Sequence, residues 1–462
     1  MEAKKKKIVV PHTLAIIVVV MFMASILTYI IPAGSYDRTK NEAGQTIVLP
    51  ESFHYVDRTP VNPLSIFSHV FTGLNKAKNV IFVLLCAGGG MGVLLSTGMF
   101  QGIAGSACRK ARGKNKEWLV ISLLMSVFAL LCIPINLNFF IPFASLGVLV
   151  ALSLGLDAIV GVSIVMLGGA VGFSCGAMNI SNTGTAQQIA ELSLFSGMWF
   201  RLVSMIPFLL VSILYVLKYA KEIKKMPEKS VIYNVKIDFA FEENDETRFI
   251  KRHIPVAVVA LIGIGYIIYV SIFGKLSNEI VATTFIYMGF AAGLVYRMPI
   301  NTICKEFMNG VKSMAATSMM IGFAYVIGVI LTKGNVIDTV VHGLANVLSY
   351  VPNILKAPAM FIMHIIINLF ITSGSGQAAV SMPIFVPVAD LVGISRQTAV
   401  LAFNFGDGFC NNILPHAAAT MGFVGAIGIP FTKWFKYAIK LFVVWVIVGI
   451  ILLMIASLIN YV

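Results

Sequence analysis

Apolar residues run in blocks of roughly 20 along the whole chain, long enough for a helix to cross about 30 Å of hydrocarbon. Short polar stretches rich in Gly, Ser, Asn and Pro punctuate them. The blocks at 8–31, 77–97, 199–217, 254–272 and 281–296 read as plain helices. Two longer blocks, 118–156 and 157–194, are each interrupted midway, the first by CIPINLN at 132–138. The predicted fold class is an all-α integral membrane protein.

Basic residues set the orientation. Met1 to Lys7 is a basic stub, and the apolar run after it has no small-residue cleavage site, so it is expected to stay as a membrane helix. With that stub cytoplasmic, Arg109, Lys110, Arg112, Lys114 and Lys116 mark a second cytoplasmic loop. A third is marked by Lys218, Lys221, Lys224 and Lys225, with Arg248, Lys251 and Arg252 at its far end. An even number of crossings must separate the last two loops, so the interrupted block 118–156 is read as a re-entrant hairpin.

The chain also matches itself. GVLLSTG at 92–98 recurs as GVILTKG at 328–334, Gly172-Phe173 as Gly408-Phe409, and Trp199-Phe200-Arg201 as Trp434-Phe435-Lys436, at offsets of 236, 236 and 235. Counting crossings starts the second copy on the opposite face. The expectation is two inverted repeats with about nine transmembrane helices and two re-entrant hairpins. Its segments are an N-terminal helix and external loop at 1–60, repeat 1 at 61–219 with a hairpin at 117–156, and a cytoplasmic linker at 220–251. Two connecting helices at 252–297 lead to repeat 2 at 298–462, with a hairpin at 354–392. Such a layout is that of alternating-access carriers, which bind substrate near the midplane.

Composition narrows the classes. With 58% hydrophobic and 12% charged residues, a soluble core is excluded, and the formal charge of +14 is carried by anchors beside apolar runs rather than by a nucleic-acid surface. The six Cys and seven His show neither Cys-x-x-Cys spacing nor helical ligand pairs, so metal and disulfide scaffolds are not expected.

Candidate chemistry gathers at four irregular stretches in matching places. Two are hairpin tips, 134–138 and TSGSGQ at 372–377; two are helix breaks, NISNTGT at 179–185 and NNILPH at 411–416. Backbone groups freed at membrane depth need partners, and helices restarting after a break aim positive ends at a bound anion. The expected substrate-binding residues are Asn136, Asn138, Asn182, Thr183, Ser373, Ser375, Gln377 and Asn412. The expected cation-binding residues are Ser181, Asp407 and Asn411, because a carboxylate at the bilayer centre costs on the order of 3 kcal/mol unless partnered. Na⁺ is the candidate coupling ion, with no other cofactor. Each polar residue also has a plain reading as helix packing. His364 reads as packing, Glu191 as a residue near a membrane face, and Asp157, Asp390 and Arg396 as helix-end anchors.

At these residues the chain resembles the YfcC branch of the DcuC-like families of the ion-transporter superfamily. The resemblance runs from Pro11-His-Thr and Ile31-Pro-Ala-Gly34, through Leu194-Phe-Ser-Gly197, to its strongest stretch, from Ser373-Gly-Ser-Gly-Gln377 to Phe405-Gly-Asp-Gly-Phe409. It implies a homodimeric elevator in the bacterial inner membrane, carrying an amino acid or a C4-dicarboxylate; exchange of basic amino acids is the alternative. Members often carry acidic residues at the first tip, where this chain has Asn136 and Asn138, so the substrate class stays open. Ser181-Asn182-Thr183 is similar to a tripeptide that related dicarboxylate/sodium symporters place at hairpin tips, but here it falls in a helix break. Outside the carriers stand a channel and a membrane-embedded hydrolase. The hydrolase reading lacks a second deep aspartate beside Asp407 or a base in motif relation to Ser373.

Overall fold

The computed structural model describes residues 13–40, 46–49, 52–103, 106, 117–235, 237, 249–273, 277–348 and 350–462. The basic cluster at 109–116, the stub at 1–7 and Arg248 lie outside them. Helices dominate, and eight described ones are long and apolar enough to cross a membrane by length and composition. That set differs from the nine expected crossings. It includes Gly374–Val392, read above as a hairpin arm, and omits both halves of the helix broken at 411–417, each too short alone.

In chain order the helices are α1 (Thr13–Ile30), α2 (Val70–Ser96), α3 (Glu117–Leu131), α4 (Ala144–Ser153), α5 (Ala158–Cys175), α6 (Thr185–Ile189) and α7 (Met198–Lys225). The second half holds α8 (His253–Phe273), α9 (Asn278–Val295), α10 (Ile300–Lys333), α11 (Ile337–Leu348), α12 (Asn353–Asn368), α13 (Gly374–Val392), α14 (Arg396–Cys410), α15 (Ala418–Ile427) and α16 (Phe431–Leu458). Helix α7 runs past 217 to Lys225, because Lys, Glu and Ala sustain a helix once it leaves the apolar zone. Lys218 to Lys225 therefore sit on its last turns rather than in a linker. Between α1 and α2 the chain forms two small antiparallel ribbons, Gly34–Ser35 with His54–Tyr55 and Arg38–Lys40 with Thr46–Val48. The Asp338 carboxylate of α11 accepts from the Tyr36 amide at 3.0 Å and pairs with Arg38 at 2.8 Å, fastening this region to the second half.

Two helices form the centre. Every residue of α5 is buried, as is every residue of α14 after Arg396. In α5 apolar and small residues surround the axis, as expected of a helix enclosed by other helices. The α3 and α4 arms clasp α5 at backbone contact: a Cβ on Gly172 would sit 1.9 Å from the Ala129 carbonyl, and one on Gly161 2.3 Å from Val148 Cα. The α12 arm approaches α14 in the same way, with Gly406 against His364 and the Phe361 carbonyl. Small residues let helix backbones touch where lipid supplies no hydrophobic drive for association. Helices α2 and α10 make the most extensive helix pair, again through glycines: Gly88 and Gly92 lie against Gly310, and Gly73 against Gly322.

Candidate functional site

Both central helices stop in the interior. Helix α5 ends at Gly176, whose φ of 62° is the left-handed conformation glycine adopts without a steric penalty. The chain then makes a π turn at Ile180–Gly184 before α6. Helix α14 ends at Cys410 and resumes at Ala418. The two ends meet: Gly408 lies against Ser174, and Gly176 against the Asn404 amide.

The hairpins bring their tips to the same place. The Asn136 carboxamide caps a 3₁₀ turn at Leu137–Phe143 by accepting from the Asn138 amide at 3.0 Å. Ser373 caps α13 by accepting from the Gly376 amide. One cavity of about 590 Å³ is lined by both tips (Pro134, Asn136, Asn138; Thr372, Ser373, Gly374, Ser375) and both breaks (Asn179, Asn182; Gly408, Asn411). Val80, Val83 and Leu84 of α2, Tyr325 of α10, Leu137, Phe139, Phe173 and, at the start of α15, Ala418 and Ala419 form the rest of its wall, and the cavity reaches Ser277 and Asn278 at the start of α9.

Asp407 lies fully buried against this cavity. Its Oδ2 accepts from Asn182 Nδ2 at 2.7 Å, and its Oδ1 from Asn368 Nδ2 at 3.3 Å and Asn411 Nδ2 at 3.4 Å. Carboxamides thus come to one carboxylate from break 1, from the end of the α12 arm and from break 2. No lysine or arginine pairs with it among the described residues. The tip glycine completes the contact, since a Cβ on Gly374 would lie 2.9 Å from Asp407 Oδ2 and 3.2 Å from Asn182 Cγ.

Of the expected substrate ligands, the structure brings Asn136, Asn138, Asn182, Ser373 and Ser375 to the cavity wall. The other three point elsewhere. Gln377 is buried and donates to the His364 carbonyl at 3.0 Å, tying the hairpin arms together, because position 377 begins the face of α13 that packs on α12. Asn412 turns back onto the end of α14, donating to the Gly408 and Phe409 carbonyls at 3.1 Å. Thr183 accepts from Asn404 at 2.9 Å behind the lining. Of the expected cation ligands, Asp407 and Asn411 meet directly, while the Ser181 side chain lies outside the described residues. Among the helix-end residues, Asp157 caps α5 and accepts from Tyr219 and Ser230 at 2.6 Å; Arg396 joins Asp390 and Glu191.

Asn368, Asn404 and Arg201 were absent from the expected set. Asn404 was recoverable, since it sits three residues before Asp407 on the same helix face. Asn368 carried only the signal of a lone amide in an apolar arm. Arg201 is wholly buried, donating to Gln397 Oε1 at 3.0 Å and lying 3.5 Å from the Gly176 carbonyl at the end of α5.

Residues 10–458 match the DcuC family, described as C4-dicarboxylate anaerobic carrier. A relative in Escherichia coli (strain K12), named "Putative basic amino acid antiporter YfcC", is 29% identical over 98% of this chain and 97% of its own. An uncharacterized protein of Haemophilus influenzae is 25% identical over 98% of both chains. Among solved structures, the YdaH transporter of Alcanivorax borkumensis aligns at 17% identity over 98% of this chain and 99% of that one, with a TM-score of 0.44. Neisseria gonorrhoeae MtrF, from a class of antimetabolite efflux pumps, aligns at 14% identity over 96% and 95%, also at 0.44. Eight membrane-length apolar helices among the described residues and a family match across nearly the whole chain lead to one conclusion: this protein is a multi-pass membrane protein of the DcuC family of transporters.

Proposed function

We propose that the chain is a secondary active carrier of a small carboxylate-bearing metabolite, an amino acid or a C4-dicarboxylate, coupled to a cation at Asp407. The observation behind this is the convergence of two hairpin tips and two helix breaks on one cavity, with a buried carboxylate bonded to Asn182 just behind its wall. The tips begin helical turns, whose free amides and positive ends suit a substrate carboxylate. For the cation, the Oδ1 atoms of Asn368, Asn404 and Asn411 are buried and accept no hydrogen bond. A half-turn of a carboxamide exchanges its nitrogen and oxygen. Asn368 and Asn411 could then offer oxygen beside Asp407 to Na⁺, which favours hard oxygen ligands as the related alkaline-earth ions do.

In this reading, the hairpins and broken helices move as a body against α2, α8, α9 and α10, as inverted repeats in an elevator-type homodimer of the bacterial inner membrane. Exchange of basic amino acids is a second reading, favoured by the printed name of the Escherichia coli relative. The test is reconstitution of the full chain into liposomes. Saturable counterflow of a carboxylate substrate, driven by a Na⁺ or proton gradient, is the expected result; conductive, non-saturating flux would instead make the protein a channel.

A further inference from the structure

We infer that Tyr325 of α10 is a specificity-determining residue whose hydroxyl donates to the substrate's carboxylate while the cavity is open to the outside. The assignment deepens the carboxylate-carrier reading and rests on it. Helices α2 and α10 give the cavity Val80, Val83, Leu84 and Tyr325, and of these four side chains only the tyrosine can form a hydrogen bond. Its hydroxyl makes none among the described residues, yet it is open rather than sealed. The buried tyrosines elsewhere are all engaged: Tyr36 with His342, Tyr437 with Ser163, and Tyr461 with the Gly197 carbonyl. A tyrosine turned inward ordinarily finds a partner for its hydroxyl. On a cavity wall the partner is the cargo.

The neighbourhood of Tyr325 says what that cargo presents. Four helical segments begin on the wall: the 3₁₀ turn at Leu137, α9 at Asn278, α13 at Gly374 and α15 at Ala418. Asn136, Ser277 and Ser373 cap the first three by accepting from amides of the turns they precede, but α15 follows Ala417, whose side chain cannot cap. The amides of Ala418 and Ala419 therefore stay open at the positive end of their helix. Near the other end of α15, Gly425 lies against Thr317 and Met320 of α10. The two helices run in opposite directions, so the start of α15 falls about two turns further along α10, at the level of Tyr325. Open amides beside an unused phenolic donor, on a wall without Lys, Arg, His, Asp or Glu, call for an acceptor. In a carboxylate-bearing substrate that acceptor is the carboxylate.

The reach of the cavity fixes the state to which this contact belongs. It extends to Asn278 and the exposed Ser277, where α9 begins. Lys251 and Arg252 mark the start of α8 as cytoplasmic, so α8 ends and α9 begins at the outer face. No lining residue comes from the cytoplasmic ends of α2, α5 or α10. The cavity thus opens outward. When the hairpins and broken helices carry the substrate inward, α10 stays behind and the Tyr325 contact is given up.

The experiment uses the full chain in membrane vesicles of each orientation, with succinate, leucine and arginine as probes. Tyr325→Phe keeps the ring and removes only the donor. For whichever probe the wild type carries, the KM for entry from the outer face should rise at least tenfold, the loss expected of a hydrogen bond to a charged group. The kcat, the cation dependence and the KM from the cytoplasmic face should each change less than about twofold, as loss of packing alone would not allow. An unchanged outer KM in the inserted variant would overturn the assignment and leave the carrier standing, and an equal rise from both faces would overturn its tie to the outward-open state. Saturable uptake of none of the three probes by the wild type would remove the carrier reading and this one with it. Tyr325→Cys gives a second measurement that needs no substrate: it should react with a membrane-impermeant maleimide from the outer face, above the wild-type background, and not from the cytoplasmic face. Absence of labelling from outside would also overturn the assignment.

Discussion

Break 1, at 176–184, is held mainly from the other half of the chain, whereas break 2, at 411–417, is held by its own neighbours. In break 1, Asn404 of α14 donates to Asn182 Oδ1 at 3.2 Å and Thr183 Oγ1 at 2.9 Å, Asn182 donates to Asp407, and Arg201 reaches the Gly176 carbonyl. From its own half come Arg201 and Asn179, which accepts from the Asn182 amide at 3.0 Å. In break 2, Asn412 folds back on Gly408 and Phe409, Thr420 donates to the Asn411 carbonyl at 2.5 Å, and Trp434 donates to the Asn412 carbonyl at 2.9 Å. Every one of those groups lies within 408–434. The difference teaches that break 1 takes its shape largely from α14, so the two breaks form one bonded unit. Asn182 and Asp407 are the joint between them.

The same comparison covers the repeat-matched positions. Trp434 is buried and bonded to break 2, whereas its match, Trp199, is 54% exposed and packs on Tyr461. Arg201 is buried at break 1, whereas its match, Lys436, is exposed. Equal sequence has been put to unequal use: the anchor of break 1 sits two residues further along its helix.

If Asp407 is the joint and the cation ligand, Asp407→Asn carries the largest effect. It keeps size and removes charge, so gradient-driven uptake should fall at least a hundredfold while substrate still binds. Uptake by the variant with wild-type Na⁺ and pH dependence would remove Asp407 from coupling. Next come the tip glycines, which sharpen where hairpin 2 touches the joint. Gly374→Leu should abolish transport with membrane insertion intact, because its Cβ meets Asp407 and Asn182. Gly376→Leu should lose less, since its nearest neighbours are Ser373 at 3.3 Å within the tip itself. Equal loss in both would point to a general steric block at the tip rather than this contact.

Asn182→Ala tests whether break 1 depends on the carboxylate. Removing a hydrogen bond to a charged group costs about 1.5–3 kcal/mol, roughly ten- to a hundredfold in an equilibrium constant, and the loss should appear in the Na⁺ or proton concentration needed for half-maximal uptake. An unaltered half-maximal concentration would separate break 1 from coupling. The smallest effect belongs to Trp434→Phe, which takes one donor from the self-contained break. A neutral hydrogen bond is worth about 1 kcal/mol, so the purified protein should melt a few degrees lower with cation dependence unchanged. A shift in cation dependence would mean that break 2 is not independent of its surroundings after all.

Much of this was written into the sequence. Apolar blocks of membrane length fixed the fold class, because lipid leaves a helix no choice but to satisfy its own backbone. Gly, Pro, Asn and Ser marked the tips and breaks, because those residues tolerate or punctuate an interrupted helix. Ser373, Ser375, Asn136, Asn138 and Asn182 reach the cavity from stretches that any reader of the polar pattern would single out. What only the tertiary structure decided was direction. Whether Gln377 faces the cavity or His364, and whether Asn412 faces a ligand or Gly408, depends on one turn of helix and on the partner packed against it. Asn368 lies 39 residues from Asp407 and Asn182 225 residues away, so the cluster around that carboxylate exists only once the two halves have docked. Local sequence sets where a helix breaks; which groups fill the break is settled by the distant residues that come against the glycine backbones at Gly408, Gly176 and Gly374.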